Sequence, residues 1–81
     1  MNLEKAILKE HSRAQCDRII RYINHDPRLF AELVSLFLNG SHRITQRASW
    51  PLSFIVEIHP DLITPHLKKI MANFKKPGLH D

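Results

Sequence analysis

Apolar side chains recur every three or four positions along most of this chain, and no segment alternates with the period of two that a half-buried strand requires. The densest run is Leu29, Phe30, Leu33, Val34, Leu36, Phe37 and Leu38. Its i, i+3, i+4, i+7 spacing predicts a helix with a wide apolar face, and so a largely buried one. Ile44, Ala48, Leu52 and Ile55 form a second stripe, and Leu67, Ile70, Met71 and Phe74 a third. Upstream, Ile7, Ala14, Ile19, Ile20 and Ile23 repeat more loosely, with Glu10-His11-Ser12 interrupting them. A short helix from Leu3, a break near His11 and a second helix to Asn24 are the expected result.

The residues between stripes read as helix ends. Ser12 followed by Gln15 fits a capping box, in which hydroxyl and amide satisfy first-turn N–H groups reciprocally. Asp26-Pro27 reads as N-cap then first helical residue, because proline there loses no hydrogen bond. Asn39-Gly40 closes that helix, with glycine expected in the left-handed conformation, and Ser41 caps the next. Pro51 falls inside the helix expected from Ser41 to Ile58, where it removes one backbone hydrogen bond; a kink or one-turn break near Trp50 is expected. His59-Pro60 marks another stop, and Pro60-Asp61-Leu62-Ile63 has room for a single turn. Thr64-Pro65 repeats the cap-then-proline signal, opening a last helix that ends near Lys76-Pro77-Gly78. The fold class predicted is all-α.

Length narrows the architecture to one domain, since the chain has 81 residues. No covalent staple is available: Cys16 is the only cysteine, which excludes an internal disulfide and any CxxC zinc site. A lone thiol suits a reducing compartment. The N-terminus mixes charge with apolar residues and lacks a signal-peptide core, and no run approaches the ~20 residues that span a bilayer. A cytoplasmic location with no membrane contact is the expectation.

Two stretches resemble each other. Asp26-Pro27-Arg28-Leu29-Phe30 matches His59-Pro60-Asp61-Leu62-Ile63 at an offset of 33, and Asn39-Gly40-Ser41-His42 matches Pro77-Gly78-Leu79-His80 at 38. Ser41 to Leu52 resembles the second helix of a HEAT unit, with Ile44 as the aliphatic residue, Arg47 as the nearby base and Ala48 as the small residue; Thr45 stands where that unit carries arginine. The chain thus resembles HEAT and armadillo repeat proteins, including a group of small bacterial HEAT-like proteins, some labelled adenylosuccinate lyase. The resemblance, from Asp26 to Asp81, implies a right-handed α-α superhelix of about one and a half helix pairs behind an N-terminal helical segment, cut from a longer solenoid. An incomplete last unit implies self-association through its bare face.

No catalytic constellation is present: there is no close acid pair, no nucleophile with an identifiable base and no glycine-rich phosphate loop, so an enzyme is not expected and no cofactor is implied. The six histidines, His11, His25, His42, His59, His66 and His80, form no i, i+4 pair and read as turn and cap residues, with no metal site. Arg43 and Arg47 share a helical face with Trp50 one turn on and Gln46 beside them. Guanidiniums with an indole suit a phosphate, a carboxylate or an aromatic group. The alternative packs Trp50 on a preceding helix and spends the arginines on acids or carbonyls. The reading that follows is a non-enzymatic helical-repeat module taking a protein or peptide on its second-helix face. The net charge of +4 also allows a nucleic-acid partner, by fold analogy with HEAT-like DNA alkylation-repair proteins. A lyase-like activity rests on the label alone, since the long helices and signature loop of that enzyme are absent.

Overall fold

A computed structural model describes residues 1–74 and contains five α-helices: α1 (Leu3–Lys9), α2 (Arg13–Ile23), α3 (Pro27–Asn39), α4 (His42–Ile58) and α5 (Leu67–Phe74). Two single 3-10 turns, Pro60–Leu62 and Thr64–His66, connect α4 to α5. There is no strand among the described residues. No described helix is long and apolar enough to cross a membrane. The C-terminal end expected for the last helix, near Lys76-Pro77-Gly78, lies outside the described residues.

Three caps form where the pattern places them. The Asp26 carboxylate accepts the N–H groups of Arg28 at 2.8 Å and Leu29 at 3.3 Å, and the Ser41 hydroxyl accepts that of Ile44 at 3.3 Å. The Ser12 hydroxyl accepts the Gln15 N–H at 3.1 Å, which is half of the expected capping box. The other half is missing, because the Gln15 side chain is turned inward. Its amide donates to the Ala6 carbonyl of α1 at 2.8 Å, and its oxygen accepts from Arg18 at 2.9 Å. Gln15 is buried, and a buried amide is tolerated where its polar atoms are paired.

α3 and α4 lie antiparallel. Gly40 and Ser41 alone join the end of one to the start of the other, while His25, just before α3, touches Asp61, just after α4. Phe30, Leu33 and Val34 of α3 meet Ala48, Leu52 and Ile55 of α4 in the core. α1 and α2 pack across the same helix, adding Leu3, Ala6, Ile7, Ile19 and Ile23 to that core, and Leu62 closes it from the first 3-10 turn. α4 is therefore the central strut.

Three local expectations are corrected. Of the kink or one-turn break expected near Trp50, the break does not form: α4 runs through Pro51, which is buried. Burial of Leu52 and Ile55 beyond it holds the last two turns in place, offsetting the ~3 kcal/mol of an interior proline. Thr64 does not cap an α-helix: it begins the second 3-10 turn, makes no side-chain cap, and α5 starts three residues later at Leu67. Gly40 is not left-handed, with φ −76° and ψ 173°. Its glycine identity answers a close approach, since a Cβ there would lie 2.5 Å from the Leu36 carbonyl oxygen and 2.6 Å from Ile44 Cγ2.

The positive φ falls at Asn24 instead, with φ 50° and ψ −119°. The Asp26 N–H reaches the Ile23 carbonyl at 3.0 Å, so residues 23–26 form a type II′ turn with Asn24 in the position that favours glycine. Asn24→Gly is expected to raise stability by about 0.5–1 kcal/mol, less than the ~1–3 kcal/mol cost of such a conformation because glycine orders at a greater entropy loss. Gly40→Ala is expected to lower it by about 1–3 kcal/mol through overpacking. Urea unfolding followed by circular dichroism measures both.

Candidate functional site

Helix α4 presents two sides to the rest of the molecule besides its core stripe. One carries Arg43, Gln46, Arg47, Trp50 and Phe54, spaced at helical intervals. The structure turns this side toward the α1–α2 corner. Arg47 donates from one Nη to the carbonyls of Ile7 at 3.3 Å and Leu8 at 3.1 Å. These carbonyls end α1 and have no partner within it, so a guanidinium there satisfies acceptors and complements the helix dipole. Trp50 meets the His11 ring edge-on at 5.2 Å, and Arg13 of α2 lies 4.6 Å over the Phe54 ring. Arg43 and Gln46 are exposed. Of the four residues read from the sequence as a binding surface, two are thus engaged by the N-terminal segment and two face solvent.

The other side of α4 forms a groove with α5. Phe37 of α3, Ser49, Leu52, Ser53 and Val56 of α4, Ile63 of the link, and Leu67 and Ile70 of α5 line 410 Å³ of open space. Among the described residues, none that lines it is charged. Leu67 and Met71 stand 44% and 52% exposed, too much for helix residues in a closed core. Among the described residues α5 makes its principal contact with the 3-10 turn before it, which leaves Leu67 and Met71 uncovered. Lys68 and Lys69 are exposed on the same helix.

A third feature joins two turns that are distant in sequence. The His25 and His59 rings stack with centroids 4.2 Å apart and planes 22° from parallel. His25 Nε2 lies 2.8 Å from Asp61 Oδ2. The hydrogen bond to His25 holds the Asp61 carboxyl below its ordinary pKa, since it favours the charged form. Sequence reading treated these histidines as turn residues, which they are: His25 is in the type II′ turn and His59 ends α4. The missed signal was the inverted likeness of His25-Asp26-Pro27 and His59-Pro60-Asp61, two His-Asp-Pro sets that flank an antiparallel pair and so meet at one end of it.

Cys16 is buried beside the Trp50 corner, and burial pushes its thiol pKa up. No protein-family model matches the chain, and no curated protein or solved structure shows significant similarity to it.

Two measurements follow from this arrangement. Arg47→Met keeps the packing stem and removes the donors; a loss of about 1–2 kcal/mol in urea unfolding is expected, and no change would show that the α1 carbonyls do not need them. Cys16 should react with a disulfide reagent at pH 7 about tenfold or more slowly than a free cysteine, with full reactivity restored in denaturing urea.

Proposed function

We propose that this chain is a non-enzymatic, HEAT-like binding module that takes an amphipathic helix with acidic flanks in the groove between α4 and α5. The groove carries the reading. Its walls supply apolar side chains from two helices, and its length along α4, from Ser49 to Val56, matches two turns of an incoming helix. This is helix-in-groove recognition, read through apolar anchors at i, i+3, i+4 and i+7. Lys68 and Lys69, exposed on the helix that forms one wall, together with the net charge of +4, favour acidic residues in the partner. An antiparallel pair such as α3–α4, followed after a short link by a further helix, is the order of elements that such a repeat has.

Selection from a random helical peptide library tests this. Enriched peptides should carry the apolar i, i+3, i+4, i+7 face with Asp or Glu beside it, and NMR shift changes should map to Leu52, Val56, Leu67 and Ile70. Leu67→Glu introduces a charge at an exposed wall position and should weaken binding by about tenfold or more, at least one hydrophobic contact's worth. No enrichment, or binding that Leu67→Glu leaves unchanged, overturns the proposal. Light scattering shows whether a second copy occupies the groove instead.

A further inference from the structure

We infer that His25, His59 and Asp61 form a binding site for a divalent first-row metal ion of the zinc class. The inference does not depend on the groove, which lies elsewhere on the molecule. Each of the three residues offers one ligand atom, and these atoms lie within 4.8 Å of one another. Two are imidazoles and one is a carboxylate, a donor set that suits Zn²⁺, Co²⁺ or Ni²⁺ and disfavours the all-oxygen preference of Mg²⁺ and Ca²⁺.

The geometry is close to what coordination requires. Ligands 2.0–2.2 Å from a tetrahedral zinc lie about 3.3 Å from each other. The pair His25 Nε2 and Asp61 Oδ2, now 2.8 Å apart, opens by about half an ångström when the ion takes the place of the shared proton. That proton leaves Nε2, and the neutral ring keeps its other proton on Nδ1. The His59 ring, stacked on His25, turns out of parallel so that its lone pair converges on the same point. The exposed side chains of His25 and Asp61, 51% and 67% accessible, leave room for that motion and for water on the remaining position. A fixed backbone brings the three together: the type II′ turn places His25, the end of α4 places His59, and the proline-initiated 3-10 turn places Asp61.

Such an ion bridges turns 36 residues apart in a chain with one cysteine. Binding to the folded state alone raises stability through mass action. Titrating the full chain with zinc chloride in a non-chelating buffer should give one ion per chain by calorimetry. The Tm should rise by about 5 °C or more at saturation, by the usual scaling for a domain of this size. Co²⁺ should give the visible absorption of a tetrahedral site. Asp61→Asn and His59→Ala should each cut affinity by about tenfold or more, with helical circular dichroism unchanged. His42→Ala, on the first turn of α4, should leave affinity as it was. Zinc binding that survives both Asp61→Asn and His59→Ala, or that His42→Ala removes, overturns the assignment, as does the absence of any Tm shift.

Discussion

A helix of seven residues does not persist in water by itself, and α1 is that short. It is held because side chains from two other helices take its terminal carbonyls: Gln15 of α2 on Ala6, and Arg47 of α4 on Ile7 and Leu8. These bonds fix where α1 ends and at what height it meets α4. Leu3, Ala6 and Ile7 can then enter the core together, and their burial supplies most of the attraction. Among the described residues no buried side-chain nitrogen or oxygen is left without a partner, so the polar atoms drawn inward by this arrangement are all satisfied. The packing of α1 and α2 on one side of α4 frees its other side to face α5.

Much of the fold was legible because it is written locally. Ser12, Asp26 and Ser41 cap helices by reaching two or three residues ahead, and the apolar stripes need only helical spacing to be seen. The failures also have local physics. Gly40 was read as a conformational need and is a steric one, set by how closely Ile44 and the Leu36 carbonyl approach. Pro51 was read as a kink or a one-turn break, and the break does not form because a helix buried on both sides of a proline is held by its neighbours. Thr64-Pro65 carries the same letters as a cap, but the Phe30 ring lies 5.6 Å from that of His66 and the chain stays in a tight turn there.

The site was less legible because its contacts are distant in sequence. Arg47 and Trp50 were correctly placed on one helical face. Nothing along the chain says that residues 40 positions upstream of Arg47 come to meet it. The same holds for His25 and Asp61: each is an unremarked turn residue until an antiparallel pair folds one turn onto the other. Short-range patterns name the surfaces of a helix, and only tertiary structure says what covers them.

Between Ile58 and Leu67 the chain makes two tight turns, each opened by or containing a proline. A proline ring locks its own φ. The outward wall of the groove is thus hung from two stiff joints and not from a broad packed interface. Its opening is a matter of bond rotation at a few residues, chiefly Ile63 and Thr64. The width of the groove is accordingly encoded in the Pro60–His66 link, so a change there at any position but Ile63 would reset the distance between its walls without altering a side chain that lines it.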